Sequence, residues 1–421
     1  MKQIRIGIVG LGTVGASVFK ILGSMAEFKI TAVSARDKTK DRGLELAGVT
    51  WVDNPVDLAE RDDVDVVIEV MGGDGDPAYS LIKQALQHKK SVVTANKALI
   101  AKHGLELATL AEANHVGLYF EAAVGGGIPI IKMLREGLVA NKISAIYGIL
   151  NGTCNYILTT MERTGQDFDS VLADAQKLGY AEADPSLDVD GGDTAHKLSI
   201  LTTLGFGCAP DLKSISVVGI RAVMAEDIRS ADELGYRIKL VGQAHQLADG
   251  QILNMVSPSL VPKSSPLAHV GGVLNAVLTE ADLVGQSFVA GRGAGGNPTA
   301  SAVIADVMDS ARGVKILPFI QSATTLSTKP KSSLSNWQGE FYMRLVVHDE
   351  AGVIAEIAPI LRDQNISIES LIQKGRSTET PVNIIIMTHA TNGQNIIDAI
   401  QKISTLKCVL ETPFVMPVLK I

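Results

Sequence analysis

Between Gly179 and Lys197 the chain reads GYAEADPSLDVDGGDTAHK and places five carboxylates, Glu182, Asp184, Asp188, Asp190 and Asp193, within twelve residues. Asp190-Gly-Gly-Asp193 opens an apolar, helix-length run from Ala195 to Leu204. Asp193 and Lys197, spaced i, i+4, share one face of that helix. Carboxylates gathered at a helix start with a lysine among them suit a small zwitterion that has an ammonium to be bound and a proton to be moved. The blander account is a solvated acidic loop in which Asp193 only satisfies first-turn N–H groups. A calcium loop is excluded, because the acids and Gly191 lack the alternating ligand spacing and no glutamate closes a twelve-residue loop. A second lysine, Lys97, follows the apolar strand Ser91–Thr94. Ligands of an open parallel sheet sit at the carboxyl ends of its strands, so Lys97 points toward a cofactor crevice. Cys154 would serve a rival chemistry, an acylating semialdehyde dehydrogenase with a cysteine nucleophile, but no local base accompanies it and it reads as packing.

The elements that position these residues begin with Ile4–Val9, a short apolar strand, followed at once by Gly10-Leu-Gly12-Thr-Val-Gly15 and a helical pattern through Val18, Phe19, Ile21 and Leu22. Strand, GxGxxG and helix together form a dinucleotide fingerprint: Gly10 for the tight turn, Gly12 for close approach of a pyrophosphate, Gly15 for helix packing. The helix N-terminus then holds the phosphates. The next strand, Ile30–Val33, ends in Ser34-Ala-Arg36-Asp37. Arg36 suits a 2′-phosphate and favours NADP, while Asp37 one residue on keeps NAD use open. The strand Val64–Val70 runs into Met71-Gly72-Gly73. Gly10, Gly12, Thr13, Val14, Gly15, Arg36, Gly72, Gly73, Thr94, Asn96, Lys97 and Gly296 are the candidate cofactor contacts.

Leu118–Glu121 reads as a further strand, Ile130–Leu138 as an amphipathic helix, and Ile143–Leu150 as a strand leading into Asn151-Gly-Thr-Cys-Asn155. The runs Arg237–Val241, Ile252–Val256, Val273–Val277 and Leu283–Val289, with Gln246–Gly250 as a hairpin connection, predict a mixed, mostly antiparallel sheet with helices on one face. In Gly291-Arg-Gly-Ala-Gly-Gly296-Asn-Pro-Thr299, Asn297 caps and Pro298 opens a helix through Met308. Its glycines are either a plain loop or a second backbone approach to the cofactor. Residues 322–338 are Ser/Thr/Lys-rich and read as a linker. Beyond them Phe341–Val347, Val353–Gln364, Ile366–Ile372, Val382–Thr388, Asn395–Ile403 and Val409–Val415 follow a βαββαβ, ferredoxin-like order.

Bulk composition agrees. The 421 residues allow two to three domains, three scattered cysteines form no metal spacing or disulfide framework, and a net charge of −7 argues against nucleic acid or an anionic membrane as partner. Lys2 and Arg5 precede no long apolar segment, so the expected place is the cytoplasm.

The motifs GLGTVG, TANK, EAAVGGGIPII, NGTCNYI, GYAEADPSLDVDGGDTAHK and GRGAGGNPTAS resemble homoserine dehydrogenase in order and spacing, over nearly all of residues 1–320. The C-terminal part resembles an ACT domain, on His348-Asp-Glu-Ala-Gly352 and Asn365-Ile-Ser-Ile368. The resemblance implies interconversion of L-aspartate 4-semialdehyde and L-homoserine with NAD(P), in threonine, methionine and isoleucine biosynthesis. It implies Glu182 and Asp188 on the substrate ammonium, with Tyr180, Gly152 and Thr153 lining the pocket. Lys97 and Lys197 flank the reacting oxygen, where hydride transfer to an aldehyde builds an alkoxide in need of a proton and a positive neighbour, and Asp193 orients them. Lys197 is the favoured proton donor, with the division of labour open. Glu121 and the carbonyls of Val124, Gly126 and Ile128 match a monovalent-cation site, usually sodium. The implied architecture is α/β: a Rossmann-type dinucleotide-binding domain (1–130, completed by a returning helix at about 297–320), an α+β mixed-sheet catalytic and dimerisation domain (131–296), the 322–338 linker, and an ACT domain (339–421). Threonine is the implied feedback inhibitor, a pure oligomerisation module being the alternative, and a homodimer or homotetramer the implied assembly. Two other functions compete: the Cys154 enzyme above, and a non-catalytic dinucleotide-sensing regulator with an amino-acid-binding tail. A sensor needs no lysine pair facing carboxylates. Asp184 and Asp190 have no assigned task.

Overall fold

Alternating apolar strands and amphipathic helices in the first third give a parallel sheet. In the computed structural model β1 (Ile4–Val9), α1 (Thr13–Gly23), β2 (Phe28–Ser34), β3 (Thr50–Trp51), β4 (Val66–Glu69), α2 (Ala78–Gln87), β5 (Ser91–Thr94), α3 (Lys97–Ala113) and β6 (Leu118–Tyr119) follow one another. The strands lie in the order β3-β2-β1-β4-β5-β6, every neighbour parallel. The order reverses between β1 and β4, which puts Gly10 and the Gly72-Gly73 turn at the topological switch point. The structure describes residues 3–329, 331–373 and 380–421; Lys2, Pro330 of the expected linker and residues 374–379 of the expected C-terminal module lie outside it.

The rest of the chain adds α4 (Ile130–Lys132), β7 (Ile143–Ile149), α5 (Gly152–Thr164), α6 (Phe168–Lys177), α7 (Ser186–Val189), α8 (Gly192–Phe206), β8 (Ser216–Val217), α9 (Ala225–Glu233), β9 (Tyr236–Gln246), β10 (Ile252–Pro262), β11 (Leu274–Ala281), β12 (Gly285–Arg292) and α10 (Gly296–Ala311). Then come β13 (Lys331–Ser332), β14 (Gln338–Gly339), β15 (Phe341–Val347), α11 (Val353–Asp363), β16 (Ile368–Gln373), β17 (Val382–Thr388), β18 (Thr391–Asn392), α12 (Gly393–Ile403) and β19 (Phe414–Pro417).

Two compact units divide the chain, Met1–Gly152 with Ala195–Ser214 and Val273–Lys329, and Thr153–Thr194 with Ile215–Gly272 and Pro330–Ile421. The first holds the parallel sheet and the antiparallel pairs β7·β11 and β11·β12. Ala300, Ala302, Val303 and Val307 of α10 share a core with Ile6, Ile8, Val18 and Leu22, so a helix from late in the sequence completes the early sheet. The second unit holds the long β9–β10 hairpin, flanked in parallel by β8 and β13. It also holds the antiparallel sheet β16-β17-β15-β19, whose core of Phe341, Leu345, Ile384 and Ile386 packs on Ile357 of α11 and Ile396 of α12. Among the described residues no helix is long and apolar enough to cross a membrane.

Several expectations need correction. The strand drawn to Glu121 stops at Tyr119, because Glu121 starts a 3-10 turn that takes its carboxylate into the interior. The helix expected over Ile130–Leu138 is α-helical only to Lys132 and continues as a π-helical turn, Met133–Gly137. Asn297 does not cap α10. The cap is Gly295 at φ 125°, since Gly296 already lies against Thr13 and Ser17 of α1. The last strand is Phe414–Pro417; Val409 makes only an isolated bridge to Val347, and Pro413, without an N–H, breaks the run between them. Part of the Ser/Thr-rich segment read as a linker is paired: β13 pairs with β10, β14 with β18, and the Trp337 ring lies 4.9 Å from that of His245.

Candidate active site

The glycines of the first loop are explained by their surroundings. Gly10 sits at φ 95°, where a Cβ would lie 2.7 Å from the Val70 carbonyl, and a Cβ on Gly15 would lie 1.8 Å from the Gly10 oxygen. Gly12 differs, since a Cβ there meets nothing within 4 Å. It caps α1 with no side-chain bond and with no acid in the first turn. This leaves the N–H groups at Thr13, Val14 and Gly15 at the positive end of the helix dipole, as anion binding requires.

A residue that the motif reading passed over shapes the second glycine turn. Glu69, fully buried at the end of β4, accepts from the N–H of Met71 at 2.7 Å and of Gly72 at 3.3 Å, and from Thr94 Oγ1 at 2.6 Å. Burial pushes its carboxyl above the usual range, and the hydrogen bonds oppose that. Gly72 and Gly73 take φ 82° and 92°. Thr94 also accepts from the Asn96 N–H, and Asn96 Oδ1 caps α3 through the Leu99 N–H. These two residues join the Glu69 turn to the start of α3. Arg36 is exposed after β2. Asp37 is occupied by Thr39, accepting from its N–H at 2.8 Å and its hydroxyl at 2.7 Å, which holds the carboxyl below its ordinary pKa. Arg42, also outside the motif reading, donates to the Leu11 carbonyl of the glycine loop.

The lysines start from different elements. Lys97 is the first residue of α3 and half-buried. Lys197, 9% exposed, lies one turn after Asp193 on α8, and its Nζ donates to the Leu150 carbonyl at 2.6 Å, just past the end of β7. Asp193 is 3% exposed in the first turn of α8. Gly152 opens α5, where a Cβ would lie 2.8 Å from the Val273 carbonyl.

In the second unit, Thr153 Oγ1 gathers the acidic segment, with the Tyr180 carbonyl at 2.8 Å and Asp188 Oδ2 at 3.0 Å. The Tyr180 ring lies 4.8 Å from that of Tyr156, and Glu182 is exposed. Thr153, Tyr180 and Asp188 are thus brought together. Asp184 accepts from the Ser186 N–H as a turn residue, and Asp190 pairs with Arg221. Cys154 is fully buried and donates through Sγ to the Asp188 carbonyl at 3.2 Å. Lys239, absent from the motif reading, is 2% exposed and donates to the Val270 carbonyl at 2.7 Å and Asn155 Oδ1 at 3.3 Å; burial brings its pKa down to about 8.

Glu121 accepts from the N–H groups of Ile131 at 3.0 Å and Lys132 at 2.8 Å, while its own N–H donates to Asp306. Burial, and then the Asp306 charge, push its carboxyl up to about 7; burial pushes Asp306 up to about 6. The following loop turns at Gly125 and Gly126, φ 73° and 51°. Among the described residues no group of three or more His, Cys, Asp or Glu side chains is placed to hold a metal ion.

Comparison with known proteins agrees with this layout. A family model described as homoserine dehydrogenase, NAD binding domain, matches residues 10–121; one described as homoserine dehydrogenase matches 129–308; and an ACT domain model matches 341–407. The homoserine dehydrogenase of Neisseria gonorrhoeae is 43% identical, over 99% of this chain and 98% of its own length. That of Synechocystis is 42% identical over 99% of each. The crystal structure of a homoserine dehydrogenase from Thiobacillus denitrificans superposes with a TM-score of 0.92 at 41% identity, covering 99% of this chain and 98% of that one. A hyperthermophilic archaeal homoserine dehydrogenase solved in complex with NADPH superposes at 0.65 with 30% identity, over 75% of this chain and all of its own.

Proposed function

Since the chain belongs to the homoserine dehydrogenase family of NAD(P)-dependent oxidoreductases, we propose a residue-by-residue assignment for the interconversion of L-aspartate 4-semialdehyde and L-homoserine. Glu182 and Asp188 take the substrate ammonium, with Tyr180, Gly152 and Thr153 around it. Lys197 gives the proton to the nascent alkoxide in reduction and removes it in oxidation, Lys97 assists, and Asp193 orients. The observation that carries the assignment is Lys197: a nearly buried ammonium fixed on the Leu150 carbonyl, one helical turn from a buried carboxylate. The nicotinamide cofactor supplies the hydride when bound, at the Gly10–Gly15 turn and the Gly72-Gly73 turn.

NADP is the proposed preference. The occupation of Asp37 by Thr39 supports it, because one oxygen of that carboxylate is already engaged within its own turn, and the exposed Arg36 supports it further. A monovalent cation, taken as sodium, would sit on Glu121 and the carbonyls of Val124, Gly126 and Ile128. A carboxylate and carbonyls are the oxygen donors that hard cations choose, and a buried Glu121 carboxylate whose proton affinity burial and the Asp306 charge both raise is the electrostatic setting that a cation relieves. Bound there, it would stiffen the loop between β6 and α4.

For the C-terminal module we propose threonine as effector. A cavity of about 310 Å³ opens there, lined by Val347, His348, Asp349, Gly352, Val353 and Gln373, on the turn between β15 and α11. A homodimer or homotetramer is the proposed assembly, supported by Leu274, Leu283 and Phe288, exposed on and beside the edge strand β12. The proposed modules are residues 1–130 with the helix near 297–320, 131–296 and 339–421. One assay tests the core of this reading: homoserine-dependent appearance of NAD(P)H absorbance at alkaline pH, with each cofactor and with added threonine. Turnover with homoserine, faster with NADP and slowed by threonine, is expected. No homoserine-dependent signal with either cofactor would reject it.

A further inference from the structure

The turn that carries Asp188 is pinned from outside. Asp190 accepts from Arg221 Nε at 2.6 Å and Nη2 at 3.2 Å, and the same Nη2 donates to Ser186 Oγ at 3.3 Å. The Ile220 N–H donates to the Val189 carbonyl at 2.8 Å. Both ends of α7, and Asp188 between them, are therefore held by the stretch Ile220–Ala222. A planar guanidinium bridging a carboxylate and a hydroxyl sets geometry more strictly than a point charge does.

That stretch is in turn gripped by the C-terminal sheet. Arg344 of β15 donates through Nη2 to the Ala222 carbonyl at 2.9 Å, and through Nε to Asp227 Oδ1 at 2.8 Å. Tyr342, two residues earlier on the same strand, donates to the same oxygen at 2.7 Å. Asp227 Oδ2 accepts from the Met224 N–H and closes the start of α9. Asp227 is fully buried and Arg344 is 3% exposed. Three residues beyond Arg344, Val347 ends β15 in the lining of the effector cavity.

We propose that Arg221 is a positioning residue for the Asp188 turn, and that Arg344, through the Ala222 carbonyl, transmits the state of the C-terminal cavity to it. The inference rests on the reading of Asp188 as a substrate carboxylate and of the cavity as the effector site. The two links differ in strength as such a device requires. The Asp227–Arg344 pair is buried, whereas Arg221–Asp190 is half-exposed, and exposed pairs are worth only about 0.2–1 kcal/mol. A link that weak is readily shifted, and allosteric couplings of about 1–3 kcal/mol are the usual size. A homoserine molecule would then meet an Asp188 turn held in place in one state and released in the other, with the lysines untouched.

The test uses the full-length chain in the homoserine assay with NADP, with threonine as the effector probe. R221Q removes the bridge from a half-exposed position. R344K keeps a cation beside Asp227 but loses the second nitrogen that reaches Ala222. Both are expected to raise the homoserine KM by about two- to fivefold, to leave kcat within about twofold, and to leave the KM for NADP unchanged. The double variant should be no worse than R221Q alone, since the two residues act in series. Threonine should bind both variants as it binds the original chain, by calorimetry, yet inhibit them about two- to fivefold less effectively. An unchanged homoserine KM in R221Q overturns the positioning role, and additive effects in the double variant overturn the series. Undiminished threonine inhibition with intact binding overturns the transmission. Should threonine not bind the original chain at all, the effector reading falls by itself, while KM and additivity still decide the link. Should R344K not fold, R221Q alone decides through its KM and its response to threonine.

Discussion

Lys197 lies on α8 and donates from Nζ to the Leu150 carbonyl, far along the chain from the glycine turns of the cofactor site, so its removal leaves those turns intact. Lys197→Ala is expected to lower kcat by about 10²–10⁴-fold, the range for loss of a positioned proton donor. NADPH binding followed by fluorescence should persist within about twofold; near-normal kcat would remove Lys197 from the mechanism. Cofactor choice belongs to the same scale. With Asp37 engaged by Thr39, Arg36 is the residue left to meet a 2′-phosphate, and charge-assisted hydrogen bonds contribute about 1.5–3 kcal/mol. Arg36→Ala should therefore raise the KM for NADP by about tenfold or more, while changing that for NAD little. A preserved NADP:NAD ratio would refute the assignment.

Elements decide which of these residues meet, and their stability can be read through Lys239 on β9. Its folded pKa of about 8 lies below the ordinary 10.5 because burial disfavours its charge. Between those values the unfolded chain binds more protons at this site than the folded one, so stability rises as pH climbs through the window. The rise should amount to about 2–3 kcal/mol and vanish in Lys239→Met, when urea midpoints are followed from pH 7.5 to 10.5. Equal slopes in the two proteins would contradict the burial argument. Residues legible in the sequence share one property, that their partners are close along the chain. Gly10, Gly12 and Gly15 announce a turn, and Asp193 and Lys197 announce a helix face. Glu69 was hidden because a buried acid at the end of Val66–Glu69 looks like the edge of an apolar run. The Asp190–Arg221 and Asp227–Arg344 pairs span 31 and 117 residues, and no local pattern announces such a partner. Likewise the sequence predicts a last strand over Val409–Val415 instead of Phe414–Pro417, and a linker in a segment that pairs with β10.

At the scale of the molecule, the C-terminal sheet is built into the second unit, and this changes how its contribution should be measured. Deleting residues 330–421 would strip β13 from β10, Val418 and Leu419 from Leu260, and Tyr342 and Arg344 from Asp227. A truncated chain would lose stability along with regulation, so it cannot separate the two. A point change in the full chain does. Burial pushes the Asp227 carboxyl up, and Arg344 is the strongest influence opposing that. Breaking such a buried pair by removing one partner costs about 3–5 kcal/mol, because the remaining charge is left without compensation. Asp227→Ala should cost that much, whereas Lys177→Ala, which removes an exposed i, i+3 partner of Asp174, should stay within about 0.5 kcal/mol. Hydrogen exchange gives the sharper readout. If α9, the β9–β10 hairpin and the β15–β17 ladder open as one cooperative unit, Asp227→Ala should speed exchange in all three by a similar factor. Loss of protection in β15 and β17 alone would mean that the C-terminal sheet opens independently, and that Asp227 only anchors it.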